Sequence, residues 1–301
     1  MLELIKHFSV TEYEVERMST IARSITAFFS SIIMFICSTL NIPCYPLGEE
    51  LDMNKFDPVP TFADEFNSEL DRSVWSGHYQ YGNATESRKG SYWNQYLAYT
   101  ENGNLIIPVV YLEEGMGGTR AGWYTAGIDT DSDAPNGFSQ KYGYFECRCI
   151  LPEGADIWSA FWLMNDGVYE ENGTGTDGTE IDIFESDQYE NFLRNSVSTN
   201  LHYDGYGEAH QKMGAKVFLT GNNPYEEFNT YGLEWNEEEY IFYINGRETF
   251  RTSYGGVSQN EEYLILSVEM RGENGNPSQR ENAPAEESRF VVDYVRVYQY
   301  K

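Results

Sequence analysis

Basic residues are scarce in this chain: 20 Lys and Arg stand against 48 Asp and Glu, a formal net charge of -28 at pH 7. A surface this acidic repels phosphate backbones and anionic headgroups, which excludes nucleic acid and anionic membrane surfaces as partners and leaves a neutral polysaccharide compatible. Cysteine is sparse too, with four in 301 residues. Cys37 and Cys44 fall in or just after an apolar N-terminal stretch. Cys147 and Cys149 lie two apart on one face of an expected strand, poor geometry for a mutual disulfide, so no structural disulfide is expected. The four histidines, His7, His78, His202 and His210, do not pair with cysteines at zinc-ligand spacing. Sustained helical periodicity, internal repeats and low-complexity linkers are also missing, so a second globular domain has no support.

The one long apolar run is Ile25 to Leu40, interrupted only by Ser and Thr and preceded by Arg17 and Arg23. It is short for a membrane span and reads as a secretion signal, with an uncleaved anchor as the other reading. A start at Met18 would give it the short basic region such signals carry. The expected organisation is a leader over residues 1–49 and one domain over 50–301. The protein is expected outside the cell, either free or anchored by the leader.

From about Val59 the chain consists of short β-rich runs separated by turn signals. Asn102-Gly103 and Asn245-Gly246 are tight-hairpin dipeptides between apolar runs, which implies antiparallel pairing. Tyr263 to Val268 and Phe290 to Tyr298 add strands rich in β-branched and aromatic residues. Aromatic residues make up 16% of the chain, enough both to fill a sandwich core and to stack on sugar rings. The architecture expected is an all-β sandwich of two antiparallel sheets.

The stretch with the most chemistry is Glu180-Ile181-Asp182-Ile183-Phe184-Glu185. On a strand, Glu180 and Asp182 share a face and Glu185 points away, unless a β-bulge inserts one residue and returns Glu185 to their side. With such a bulge the two glutamates stand roughly 13 Å apart at Cα, and side chains leaning inward bring the carboxyls to roughly 5 Å, the separation for retaining glycoside hydrolysis. Three acids this close cannot all ionise readily, so at least one is expected to have a raised pKa. Acidic strand faces also occur as solvated or calcium-binding surfaces, and spacing alone leaves those readings open.

Two other patterns fail on context. Gly173 to Gly178 fits G-x-G-x-x-G, but it precedes a strand rather than opening a helix, so it reads as a flexible loop leading into the acid strand. Asp129, Asp131 and Asp133 begin like a calcium loop, but Ala134 and Gln140 stand where glycine and glutamate are required, and a solvated acidic loop is expected.

The acid strand resembles the E-x-D-x-x-E signature of glycoside hydrolase family 16, and its flanks agree in order. These are Thr61 to Phe66 with Leu70, Asp71 and Trp75; Lys141 to Arg148 with Pro152; Trp158 to Met164; His202-Tyr203; Tyr231 to Trp235; Phe242 to Gly246; and Val292 to Val297. The resemblance runs from about residue 59 to the C-terminus. It implies a concanavalin A-like jelly roll with a concave glycan cleft, and a retaining endo-hydrolase of β-linked polysaccharide acting as a monomer without a required cofactor or protein partner. By position it implies Glu180 as nucleophile, Glu185 as general acid/base and Asp182 as the residue tuning the nucleophile. It likewise implies Trp158, Trp162, His202 and Trp235 as substrate-binding residues, with core packing as the other reading for the tryptophans and a satisfied interior histidine as the other reading for His202, and Asp293 as a contributor to a structural calcium site.

The spelling with two residues between Asp182 and Glu185 resembles laminarinases, agarases and carrageenases, which points to β-1,3- or mixed β-1,3/1,4-glucan, with a red-algal galactan as the second substrate class. The loop from Asn172 to Thr179 lacks the tryptophan common in laminarinases. Transglycosylation and a non-catalytic carbohydrate-binding module are the competing functions. An intact acid trio argues against the second.

Overall fold

The computed structural model describes residues 48–77, 79, 83–88, 91–116, 121–131, 134–187, 194–218, 223–270 and 288–301, with Ile32 and Ile36 besides. The leader reading, apart from those two residues and the last two before residue 50, lies outside the described residues, as do Cys37, Cys44, His7 and His78. Among the described residues no helix is long and apolar enough to cross a membrane.

In chain order the strands are β1 (Phe62–Asp64), β2 (Asn83–Arg88), β3 (Ser91–Asn94), β4 (Tyr99–Glu101), β5 (Asn104–Leu112), β6 (Gly122–Thr125), β7 (Gly127–Asp129), β8 (Ser139–Gln140) and β9 (Gly143–Ile150). They continue as β10 (Ile157–Met164), β11 (Glu180–Ser186), β12 (Ser196–Tyr203), β13 (Gln211–Phe218), β14 (Asn229–Trp235), β15 (Tyr240–Ile244), β16 (Arg247–Thr252), β17 (Glu262–Met270) and β18 (Ser288–Tyr298). Helical structure among the described residues of the domain is confined to three short 3-10 turns, at Met53–Lys55, Gln95–Leu97 and Asp166–Tyr169.

Two sheets form. One runs β16-β15-β14-β9-β18-β5-β6-β3-β2, with β1 added to β18 and β4 to β5; the other runs β13-β12-β11-β10-β17-β7, with β8 added to β17. The expected sandwich is therefore present, with one departure: β3 and β6 pair in parallel, because the chain between them crosses over through β4 and β5. Both hairpin signals act as read. Asn102 and Gly103 take φ of 53° and 76°, Asn245 and Gly246 take 49° and 71°, the doubly left-handed turn that matches strand twist.

The inner faces of the two sheets close one apolar core. Phe145, Cys147 and Cys149 of β9 and Leu233 and Trp235 of β14 meet Phe161 of β10, Ile181 and Phe184 of β11 and Leu264 and Leu266 of β17. Cys147 and Cys149 are both free thiols there, as their shared strand face requires. A second cluster, Phe56, Tyr144, Ile241 and Tyr243, lies on the outside of the larger sheet under Leu51, Tyr298 and Tyr300. Backbone bonds from Leu51 N to Gly246 O (2.9 Å) and from Lys301 N to Lys55 O (3.1 Å) hold the N-terminal segment and the C-terminus over it. On the outer face of the smaller sheet Trp162, Met164, Val168 and Ile265 form a third cluster under Tyr79 and Trp93, and the functional residues collect beside it.

Candidate active site

The acid strand β11 carries the bulge. On its β12 side Glu180 stands opposite His202, Asp182 opposite Asn200 and Glu185 opposite Ser198, with a register shift between Asp182 and Glu185. On its β10 side Phe184 faces Phe161 and Asp182 faces Trp162, which leaves Ile183 without a partner. Ile183 and Phe184, adjacent in sequence, therefore both enter the core, and the strand resumes its alternation one residue late. Glu180, Asp182 and Glu185 consequently line one cleft, of about 830 Å³.

Neighbouring strands treat the two glutamates differently. The Tyr206 hydroxyl donates to Glu180 Oε2, and His202 Nε2 lies 3.9 Å from Glu180 Oε1 and 3.4 Å from Asp182 Oδ2. Burial raises the Glu180 pKa while His202 and Tyr206 oppose that rise. Glu185 is pushed up to about 8 by burial and by the Asp182 charge, against the Asn200 amide that donates to its Oε2. Asp182, 3% exposed, is raised well above the usual carboxylate range by burial and by Glu180. Burial thus raises both glutamates, but Glu180 has His202 and Tyr206 opposing that rise while Glu185 goes to about 8 and keeps its proton near neutrality, the kind of inequality that acid/base work on two carboxylates requires.

Asn200 reaches Glu185 because Gly214 lies opposite it on β13. A Cβ at residue 214 would stand 2.0 Å from Asn200 Oδ1. On the other side, Trp158 and Trp162 of β10 project into the cleft with Tyr79, Trp93 and Ser267. Trp162 Nε1 donates to Ser267 Oγ at 3.1 Å, and the Tyr79 ring meets Trp162 edge-on at 5.2 Å. Beyond β12, Lys212 and Lys216 add two cations to the rim. Among the described residues Glu180, Asp182 and His202 form the group able to share a metal ion, their ligand atoms lying within 4.8 Å of one another.

Comparison with known proteins agrees with this geometry: residues 56–300 match the family described as beta-porphyranase A-D, GH16 domain. The chain belongs to this glycoside hydrolase family 16 group. Among individual relatives, the endo-1,3-1,4-beta-glycanase ExsH of Rhizobium meliloti is 26% identical over 79% of this chain and 51% of its own length. A glucan endo-1,3-beta-glucosidase of Cryptopygus antarcticus is 24% identical over 78% of this chain and 86% of its own. The chain thus spans about half the length of the first of these relatives. Among solved structures, the catalytic domain of a laminarinase from Thermotoga petrophila superposes with a TM-score of 0.63 at 26% identity, over 82% of this chain and 99% of that one. Porphyranase B from Zobellia galactanivorans superposes at 0.62 with 22% identity, over 85% and 95%, a likeness of fold.

Of the residues singled out in the family 16 chain, Glu180, Asp182, Glu185, Trp158, Trp162 and His202 come together in the cleft. Trp235 does not. It is fully buried in the sandwich core against Phe145 and Tyr240, on the larger sheet, and cannot touch a glycan in the cleft. Asp293 lies away from the cleft on β18, where Arg148 Nη1 donates to its Oδ2.

Two loop readings change as well. Asp129 is not solvated: it is fully buried and accepts hydrogen bonds from Ser76 Oγ (3.0 Å), Tyr79 N (3.1 Å) and Asp131 N (3.3 Å), fixing the segment that brings Tyr79 to the cleft. The segment 173–178 is tied down rather than loose, with Asp204 Oδ1 accepting from Gly173 N (3.0 Å) and Gly255 O accepting from Gly175 N (2.8 Å). Tyr206, Asn200 and His210 are site residues that the motif did not disclose. Asn200 carried one usable signal: it sits two residues before His202, so strand alternation puts both on one face.

Proposed function

We propose that this chain is a retaining, endo-acting glycoside hydrolase of β-linked polysaccharide, foremost β-1,3- or mixed β-1,3/1,4-glucan. The observation that carries this reading is the unequal setting of Glu180 and Glu185 across one bulged strand. Glu185, protonated near neutrality, gives its proton to the leaving glycosidic oxygen while Glu180, its charge supported by Tyr206 and His202, attacks the anomeric carbon. The ionised Glu185 then takes a proton from water, which resolves the glycosyl-enzyme. Asp182 lies between them in sequence on the same face, where burial and Glu180 raise its pKa, and it is read as the residue that tunes the nucleophile. Trp158 and Trp162 offer ring faces to the apolar face of a pyranose. The apolar run 25–40 accords with action outside the cell, where a polymer too large to import is met.

A sulfated galactan is the second reading, favoured by the porphyranase description of the matched family and by Lys212 and Lys216 at the rim of the cleft in a protein of net charge -28. Release of reducing ends from laminarin, mixed-linkage β-glucan, porphyran, agarose and carrageenan, with Glu180→Ala as control, tests both. Cleavage of a glucan abolished in the control supports the first reading, and cleavage of porphyran alone supports the second. Binding without cleavage on every polymer would leave a carbohydrate-binding module, and long products formed with added acceptor would mark a transglycosylase.

A further inference from the structure

The segment between β12 and β13 brings a second imidazole against the first. Asp204 and Gly205 take φ of 59° and 66°, turning the chain back so that residues 206–210 return over the acid strand. His210 Nε2 lies 2.8 Å from His202 Nδ1, with ring centroids 5.0 Å apart and planes inclined by only 9°. A nitrogen-to-nitrogen distance of 2.8 Å is less than the thickness of an aromatic ring, so the rings cannot lie face over face. They lie edge to edge in nearly one plane, the geometry of an in-plane hydrogen bond.

That bond decides which nitrogen of His202 carries its proton. Neutral imidazole has one N–H. If it were on Nδ1, the Nε2 lone pair would face Asp182 Oδ2 at 3.4 Å and Glu180 Oε1 at 3.9 Å, and its approach to the ionised Glu180 nucleophile would be repulsive. With the proton on Nε2, His202 points a donor at Asp182 and Glu180, and its Nδ1 becomes an acceptor that only a donor at His210 Nε2 can satisfy. We propose that His210 is a positioning residue for the reaction: its Nε2–H fixes the ring plane and tautomer of His202, which in turn presents Nε2–H to the Glu180 and Asp182 carboxyls. His210 acts through His202 and need not touch the sugar.

The proposal rests on the hydrolase reading for its kinetic arm only. In the resting protein, nitrogen-15 NMR of the His202 ring should show the Nε2–H tautomer, and His210→Leu should mix the tautomers. Kinetically, His210→Leu should lower kcat roughly tenfold, the worth of one hydrogen bond of about 1.4 kcal/mol, with KM little changed. His210→Gln, whose amide can donate from nearly the same place, should recover most of the loss. A His202 ring that is Nδ1–H in the native protein, a His210→Leu variant that changes KM alone, or a Gln variant as impaired as Leu would each overturn it. If no substrate is cleaved, the hydrolase reading fails while the NMR arm still decides the tautomer.

Discussion

At the scale of single residues, Glu185 sets the upper limit of activity. Its pKa of about 8 means that it carries the proton it must donate below that pH and has lost it above, while Glu180 must be ionised and sets the acidic limb. The dependence of kcat/KM on pH is expected to be bell-shaped, with the alkaline limb near 8, and Glu185→Gln should lower kcat by roughly 10²- to 10⁴-fold, the usual worth of a positioned general acid. A rate flat from pH 5 to 9 would show that Glu185 is not the acid. The acid trio was legible because its spacing admits a shared face with only one bulge. Tyr206 and His210 were not, because their place beside Glu180 and His202 depends on the left-handed turn at Asp204 and Gly205, which a non-glycine residue adopts only where the surroundings demand it.

At the scale of elements, β13 supplies the acid with space through Gly214. A Cβ on residue 214 would meet Asn200 Oδ1 at 2.0 Å and the Thr199 carbonyl oxygen at 2.5 Å, so Gly214→Ala must push Asn200 or the strand aside. The Asn200 amide favours the ionised form of Glu185; losing it raises that pKa further. The Gly214→Ala variant should therefore lose about 1–3 kcal/mol of stability in a urea melt and move its alkaline limb to higher pH. An unmoved limb would detach Asn200 from the acid. The same scale explains Trp235. A strand shows its inward face when the other face is polar and exposed, but on β14 that contrast is absent. Glu234 is itself buried at 2% exposure, satisfied by Lys55 Nζ at 2.7 Å and the hydroxyls of Tyr243 and Tyr300 at 3.0 Å. With both faces covered, the alternation that would have placed Trp235 in the core leaves no mark in the sequence.

For the whole molecule, buried acids make stability depend on pH in the direction opposite to ordinary salt-bridged carboxylates. Glu262, at the start of β17, is fully buried and is pushed by that burial from 4.5 up to about 8. A carboxyl whose folded pKa lies above its unfolded value contributes stability that is full below about 4.5 and is lost as pH rises through 8. Glu185 acts in the same window, and the charge of -28 at pH 7 adds self-repulsion as the acids ionise. The melting temperature should fall by several degrees between pH 5 and 9, at about 2–4 °C per kcal/mol for a domain of this size. Glu262→Gln, which keeps the shape and cannot ionise, should flatten that fall. An equal fall in the variant would assign the loss to the surface charge. The sandwich itself was legible from hairpin dipeptides and β-branched runs, whereas the parallel β3 and β6 pair was not, because short-range turn signals report only neighbours in sequence.

The bulge on β11 has a further consequence for how this site tolerates change in length. Its unpaired residue, Ile183, serves the core and no part of the chemistry. Removing it would leave Glu180, Asp182 and Glu185 at strict alternate positions of a regular strand, still on one face, at the cost of one apolar anchor. Adding a residue at the same place would likewise restore an even spacing, so a regular strand would again carry Glu180 and Glu185 on one face. The strand thus tolerates a change of one residue here in either direction, because the bulge exists to correct an odd spacing that either change would abolish.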